Sequence, residues 1–232
     1  MSSDKNNPTI DDIIGYQATA EWKERLSPSS YEAFVNRLHT DLATAILFLQ
    51  ESANVQQKDE DLLTVQLVHM LRFSKYDASH DTNVRGHVDI VVKKNDFRWL
   101  AEAKVFSTSY EWLFKGMTQL ISRYSTGSHE QNKGALIVYF FVQSVKTRME
   151  SWREKLRDEY SNQTLFVKEI GLNSVTDLHS QKLTFQSDHT HPISELSFIV
   201  DHFPVMLYHQ PLDPFIGTDK SKKKTTSKKQ NK

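Results

Sequence analysis

The segment GALIVYFFV, residues 134–142, is apolar at every position after its glycine. Alternate side chains of a β-strand point to opposite faces of the sheet, so a strand of this composition has to be covered on both faces. Helical patterns precede and follow it along the chain. The order helix, hairpin, helix, strand, helix predicts an α/β fold, in which this strand is central and helices cover both faces of the sheet.

Four segments have the apolar spacing of three to four residues that is typical of amphipathic helices. They cover residues 31–52, 59–72, 110–124 and 144–160. Ser29 and Glu32 match a capping box, which predicts where the first of these helices begins. Weaker strand patterns follow over residues 165–170, 182–187 and 193–203.

Composition and charge restrict the class of protein. The chain has no cysteine, which excludes disulfide frameworks, zinc ribbons and thiol catalysis. No apolar run approaches the roughly 18 residues of a membrane helix, and the polar N-terminal segment lacks a secretory pattern. We therefore expect a cytoplasmic protein without membrane association.

The net charge of zero hides an asymmetry. Residues 219–232 hold seven Lys and one Asp, which leaves 22 basic and 28 acidic residues in the rest of the chain. A run of like charges predicts a disordered tail that contacts polyanions non-specifically, or a solubility tail without a partner.

The segment GHVDIVVKKNDFRWLAEAK, residues 86–104, has the pattern of two apolar strands around a polar turn. A two-residue turn at residues 95–96 places Asp89 directly opposite Glu102. Directly opposed residues of an antiparallel pair share a face, with Cβ atoms about 4.5–5.5 Å apart. Lys104 lies two residues beyond Glu102, so it points to the same face.

Two carboxylates and an ammonium are thus predicted to converge on one patch. Opposed like charges are destabilising, and a hard cation such as Mg²⁺ would relieve them, since it is typically held by one or two carboxylates with phosphate and water. A lysine suits the orientation of an attacking water or the neutralisation of charge on a phosphoryl oxygen. We interpret the face as a site for phosphate chemistry. The alternative is a solvated sheet face with a salt bridge from Lys104 to either acid.

These residues resemble the pattern of the PD-(D/E)XK nuclease superfamily, which has the restriction-endonuclease-like fold. The family pattern is an Asp on one strand and, after a gap, Glu-x-Lys on the next. Here it is Asp89 followed by Glu102-Ala103-Lys104, with Val88 where the family name has Pro.

Other parts of the chain extend the resemblance over about residues 55–145. Family members often supply another acid from a preceding helix, and Glu60 lies in that place, although it and its acidic neighbours also suit a helix N-terminus. Gln119 and Tyr124 match a Gln and a Tyr of the helix after Glu-x-Lys.

The resemblance implies a Mg²⁺-dependent nuclease in which Mn²⁺ can substitute, most specifically a DNA endonuclease of restriction or genome-defence type. The implied metal ligands are Asp89, Glu102, the carbonyl of Ala103, and Glu60. Lys104 would position the hydrolytic water, and Gln119 belongs to the implied catalytic set. The alternative is a module of the same fold, catalytically weak or inactive, that binds nucleic acid or a partner.

The implied architecture is a central mixed β-sheet flanked by helices, with a helical extension before it and a strand-rich extension after it. We divide the chain into a flexible N-terminus (1–10), a helical extension (11–54), the nuclease core (55–160), a strand-rich extension (161–215) and a disordered Lys-rich tail (216–232). The strand-rich extension could complete the sheet, recognise substrate or bind a partner.

Nucleic acid, most specifically DNA, is the expected partner, in a homodimer or a larger defence complex. Lys115, Gln119 and Arg123 recur every four residues and could hold substrate phosphates together with Tyr124, or form an ordinary solvated helix face.

Histidine and tryptophan positions have a structural and a functional interpretation. His189 and His191 would share a strand face, but the sequence lacks a full set of zinc ligands around them. Trp99, Trp112 and Trp152 fit core positions better than base-stacking platforms.

Overall fold

A computed structural model describes residues 10–52, 59–83, 86–162, 170–178 and 183–209. Most of the predicted flexible N-terminus, the whole Lys-rich tail and most of the strand pattern over 165–170 lie outside these ranges. Within them the chain forms five α-helices: α1, Ile10–Leu26; α2, Tyr31–Glu51; α3, Glu60–Phe73; α4, Glu111–Thr118; and α5, Val145–Asn162. The strands are β1, Asp77–Asn83; β2, His87–Lys94; β3, Phe97–Val105; β4, Lys133–Phe140; β5, Gly171–Asp177; β6, Phe185–Thr190; and β7, Ser197–Met206.

The seven strands form one mixed sheet in the order β1-β2-β3-β4-β7-β6-β5. β4 is central and runs parallel to both of its neighbours, β3 and β7, while the outer strands pair antiparallel. Residues 134–140 of β4 are all buried, as the apolar run predicts. Because β7 pairs with β4, the strands that follow residue 161 continue the same sheet.

Helices cover both faces of the sheet, which confirms the predicted α/β class with a mixed sheet flanked by helices. One apolar core lies between the sheet and helices α2 and α3, and contains side chains such as Leu38 and Leu67. The second core lies between the opposite face and helices α4 and α5, and contains Met117 and Trp152. None of the helices in the described ranges is long and apolar enough to cross a membrane.

Helix α2 begins one residue later than the predicted capping box requires. Its N-cap is Ser30, whose backbone is extended and whose Oγ accepts a hydrogen bond from the Ala33 N–H at 3.1 Å. The prediction of Ser29 as the cap is therefore wrong. Glu32 pairs with Lys133 at the start of β4, so it links the helix to the sheet instead of closing a capping box.

A buried carboxylate connects α1 and α2 to the rest of the domain. Asp41 accepts two hydrogen bonds from the guanidinium of Arg25, both 2.8 Å long, and one of 2.8 Å from the Tyr76 hydroxyl. Arg37, one turn earlier on α2, also donates to it. One side chain thus joins two helices and the segment that enters β1.

Candidate active site

The hairpin of β2 and β3 has the predicted register. The strands pair from Lys94↔Phe97 to Ile90↔Ala101, and Asn95 in the turn has φ 53°, as a tight hairpin turn requires. Beyond Ile90 the backbone pairing gives way to a side-chain contact.

The side chain of Asp89 takes the place of a backbone hydrogen-bond partner for β3. Its Oδ2 accepts a hydrogen bond of 2.7 Å from the Ala103 N–H, so the carboxylate is fixed against the neighbouring strand. On its other side β1 pairs His80 with Ile90 and Thr82 with Val88, while Asp81 between them has φ 49°. The pairing of β1 with β2 keeps its register across Asp81, so this residue is a local distortion without an inserted residue.

Three carboxylates converge on the ammonium group of Lys104. Its Nζ lies 2.9 Å from Glu102 Oε1, 3.3 Å from Glu60 Oε1 and 3.5 Å from Asp89 Oδ2. It also donates a hydrogen bond of 2.6 Å to the carbonyl oxygen of Ala103. The structure therefore brings together four side chains and one carbonyl that the sequence assigned to a single site.

Glu60 reaches the cluster from the first turn of α3. Asp59 is the N-cap of that helix, and Glu60 Oε2 accepts a hydrogen bond of 2.7 Å from the Val105 N–H. The first turn is held to the central strand, because Thr64 Oγ1 donates to the Glu60 carbonyl at 2.7 Å and lies 3.1 Å from the Tyr139 hydroxyl. Of the acids at the start of α3, Glu60 thus faces the site and Asp59 caps the helix.

Burial makes the cluster electrostatically unusual. Glu102 is 3% exposed and Lys104 is 5% exposed, and Glu102 Oε2 has no hydrogen-bond partner among the described residues. Burial, with the nearby charge of Asp89, raises the pKa of Glu102 to about 7. Burial alone would lower the pKa of Lys104, but Glu102, Asp89 and Glu60 together raise it above its usual range. The three carboxylates thus favour the charged form of Lys104.

A glycine allows α4 to pack directly on the charged pair. A Cβ atom at Gly116 would lie 3.1 Å from Glu102 Cγ and 3.2 Å from Lys104 Cε. Contacts this short require the neighbouring side chains to move. Gly116 is not among the predicted site residues, although a glycine inside an amphipathic helix pattern is a sequence signal for a close approach.

The helix after β3 is not α-helical throughout. α4 ends at Thr118, and residues Gln119–Tyr124 form a π-helical turn. Such turns widen the helix and shift the faces on which later residues lie. Lys115 and Arg123 are exposed and Gln119 is half-buried, so the predicted stripe is not the continuous face of one α-helix.

The π-helical turn brings Tyr124 to the start of β2. Gly86 has φ 136°, and a Cβ atom there would lie 3.0 Å from Tyr124 Cε1 and 3.2 Å from Arg123 Cδ. Burial raises the pKa of Tyr124, and the charges of Glu102 and Asp89 add to the effect. Tyr124 and Arg123 are thus placed beside the strand that carries Asp89.

The three tryptophans considered for the core have different positions. Trp99 and Trp152 are fully buried, as predicted, but Trp112 is 44% exposed, so its assignment to the core is wrong. The centre of the Trp112 ring is 5.7 Å from Lys104 Nζ and 4.6 Å from Lys115 Nζ. Trp112 therefore belongs to the edge of the candidate site.

The two histidines considered as metal ligands are buried. His189 Nε2 lies 2.6 Å from Ser187 Oγ, which also lies 2.8 Å from His202 Nε2. His191 Nδ1 accepts a hydrogen bond of 3.2 Å from the Ser194 N–H. Burial lowers the pKa of His189 to about 3, which keeps it neutral. These contacts support the structural interpretation of both histidines.

The donor atoms around Lys104 suit a hard divalent cation. They are carboxylate and carbonyl oxygens, the ligands that Mg²⁺ prefers, and Glu102 Oε2 is a buried acceptor without a partner among the described residues. In the part of the chain that the structure describes, no group of three or more His, Cys, Asp or Glu side chains is already arranged to hold a metal ion. The acids are gathered around the ammonium instead.

Comparison of the chain with models of known protein families, with characterised proteins and with solved structures finds no match.

Proposed function

We propose that the protein is a Mg²⁺-dependent nuclease of the PD-(D/E)XK superfamily with the restriction-endonuclease-like fold, most specifically a DNA endonuclease of restriction or genome-defence type. The observation that carries this proposal is the convergence of Asp89, Glu102 and Glu60 on the buried Lys104. In this proposal the protein acts in the cytoplasm and its substrate is DNA.

Stability alone is a poor reason for such a cluster. Replacing a buried ion pair by apolar residues of similar size is often neutral or stabilising, because charges lose their hydration when they are buried. Because burying charge costs free energy, charged groups with strongly shifted pKa values are found mainly at functional sites. A chain that keeps three acids and a lysine beneath α4 is therefore expected to use them in chemistry.

The residues that would hold Mg²⁺ or Mn²⁺ are Asp89, Glu102, the Ala103 carbonyl and Glu60. When bound, the ion supplies a Lewis acid that polarises a phosphoryl oxygen and makes a bound water more acidic.

Lys104 contributes a fixed positive charge to this chemistry. Because Glu102, Asp89 and Glu60 raise its pKa, Lys104 is held in the ammonium form, which donates hydrogen bonds and accepts no proton. It can donate hydrogen bonds to an attacking water or to a phosphoryl oxygen on which negative charge develops. Outside the cluster, the exposed Lys115 and Arg123 would bind neighbouring phosphates of the strand, and Gln119 and Tyr124 would add polar contacts on the same helical segment.

Removal of divalent metal should abolish cleavage. We expect the full-length protein to convert supercoiled plasmid to nicked or linear forms with Mg²⁺ or Mn²⁺ and to leave it intact with EDTA, because the carboxylates alone cannot activate water. Gel electrophoresis of plasmid and RNA substrates measures this. An Asp89→Asn protein purified in parallel controls for contaminating nucleases. Equal cleavage by this variant, or no cleavage of any DNA or RNA by the wild type, would contradict the proposal.

One observation favours a second candidate, a binding module with weak or absent catalysis. The ammonium of Lys104 already neutralises part of the charge of the acids, and the described side chains are not arranged as a metal site. A module of this kind would bind nucleic acid or a partner through its exposed cations without cutting it. Binding that persists with EDTA and in the Lys104→Met variant, with no cleavage under any condition, would support this candidate.

Enlarging Gly116 should lower the cleavage rate without unfolding the protein. A valine there would push against Glu102 Cγ and Lys104 Cε, and displacements of about 1 Å at a catalytic group can cost up to a hundredfold in rate. We expect a loss of roughly ten- to a hundredfold for Gly116→Val, measured as initial plasmid cleavage rate beside the melting temperature.

Gly15 provides the matched control for this substitution. It is also a helical glycine, but a Cβ atom added there meets nothing within 4 Å. Gly15→Val should therefore keep the wild-type cleavage rate. If Gly116→Val is folded and cuts as fast as the wild type, close packing of α4 on the acids is not needed for activity.

A further inference from the structure

Trp112 combines exposure with closeness to the reactive groups. The residue is 44% exposed, and its ring centre is 5.7 Å from the ammonium of Lys104, which is itself almost fully buried. Trp112 lies one turn before Gly116 on the same side of α4, and Gly116 packs directly against Glu102 and Lys104. The indole is therefore at the entrance to the cluster.

A second cation, Lys115, lies beside the Trp112 ring. Lys115 Nζ is 4.6 Å from the centre of the Trp112 ring, and the Lys115 side chain is exposed. Proteins that bind single-stranded nucleic acid combine aromatic side chains with nearby cations. A base stacks on the ring while the cation contacts the backbone phosphate. The Trp112 ring centre lies 5.7 Å from Lys104 Nζ, so a base next to a phosphate that approaches the cluster would be within reach of the ring.

We propose that Trp112 is a stacking platform for a nucleobase, and that the site therefore acts on unpaired DNA strands. This inference rests on the proposed nuclease function and narrows its substrate. Bases inside a duplex are stacked on each other, so a base can stack on an indole only when it is single-stranded or extruded. The substrate class is thus single-stranded DNA, or DNA with an extruded base or an unpaired segment such as a flap, bulge or frayed end, including the segments that negative supercoiling opens in a plasmid.

Binding measurements with single-stranded and duplex oligonucleotides test the inference. In the full-length protein with Asp89→Asn, which prevents cleavage, fluorescence anisotropy gives the Kd for labelled DNA. Alanine at a base-stacking residue typically weakens binding by about five- to a hundredfold, so Trp112→Ala should raise the Kd for single strands by roughly tenfold or more. Trp112→Phe should retain most of the affinity, and the duplex Kd should change little.

Trp22 is the matched control. Trp22 is exposed to nearly the same degree, 46%, and the Arg25 guanidinium lies 5.6 Å from its ring centre. It lies on α1, however, and not on the helix that packs against Glu102 and Lys104. Trp22→Ala should leave the single-strand Kd unchanged. Stacking should also quench the tryptophan fluorescence when DNA binds, and this quenching should be lost with Trp112→Phe but kept with Trp22→Phe.

Three results would overturn the inference. They are an unchanged single-strand Kd for Trp112→Ala, an equal loss for Trp112→Phe and Trp112→Ala, and an equal loss for single strands and duplex. If the wild type still cuts duplex DNA in a metal-dependent way, such results reject the stacking role and leave the nuclease proposal intact. A wild type that neither binds nor cuts DNA rejects both.

Discussion

Replacing Lys104 with methionine should reduce DNA cleavage by about a hundred- to a thousandfold while the protein still binds divalent metal. Removing a preorganised group that stabilises developing charge typically costs this much in rate. Methionine keeps much of the volume of the lysine stem, so the packing beneath α4 is largely preserved. Plasmid cleavage rates with Mg²⁺ and binding of Mn²⁺ measured by electron paramagnetic resonance give the two quantities.

The affinity for metal distinguishes a lysine that stabilises developing charge from a residue that binds the metal. The Lys104 ammonium lies within 3.5 Å of oxygens of Glu102, Glu60 and Asp89, so it competes with any cation for the same carboxylates. Its removal should leave Mn²⁺ affinity unchanged or tighter, whereas Asp89→Asn should weaken it.

Lys133→Met is the matched control for the loss of a lysine. Lys133 lies at the start of β4 and pairs with Glu32 of α2 instead of with the acids of the cluster, so its removal should not change the cleavage rate. If a folded Lys104→Met protein cuts at the wild-type rate, Lys104 is not required for catalysis.

The geometry of the cluster could be predicted because it depends on short-range rules. A two-residue turn fixes the pairing of β2 with β3, and the period of two along a strand then fixes the face of each side chain. From the turn at Asn95 these rules place Asp89, Glu102 and Lys104 together. The apolar run of β4 similarly identifies the central strand, since that pattern needs cover on both faces.

The missed strands β1 and β5 lie at the two edges of the sheet. Their sequences, DASHDTN and GLNSVTD, are largely polar, and most of their residues are half-buried or exposed. An edge strand gains its position from one neighbour and does not need an alternating apolar pattern, so a sequence search for such patterns overlooks it.

Features of the site that depend on distant segments could not be predicted. Ala103 donates to the Asp89 side chain because β2 leaves its backbone ladder there, which no local pattern reveals. The π-helical turn that starts at Gln119, and the exposure of Trp112 on α4, depend on how the helix packs on the sheet. Local patterns therefore predicted which strand side chains gather at the cluster, but not the arrangement of α4 beside it.

Asp41→Ala should destabilise the protein by about 3 kcal/mol, because it takes the buried carboxylate from the partly buried guanidinium groups of Arg25 and Arg37, which keep the exposed Glu21 at 3.8 and 3.4 Å. The Asp41 side chain is 5% exposed, so solvent screens the interaction little. Equilibrium unfolding in urea near neutral pH measures the change. Asp61→Ala is the control, since that side chain is 84% exposed and its loss should stay within about 0.5 kcal/mol.

The pH dependence of stability tests the same contact independently. Burial alone would raise the pKa of Asp41, but hydrogen bonds from Arg25, Arg37 and Tyr76 hold it well below its usual range. A depressed folded-state pKa stabilises the protein above the unfolded-state value of about 3.9, and this stabilisation is lost as the pH falls further. The stability difference between wild type and Asp41→Ala should therefore be full near neutral pH and shrink below about pH 4. A difference that stays constant through that acidic range would show that the carboxylate charge does not hold α1 and α2 together.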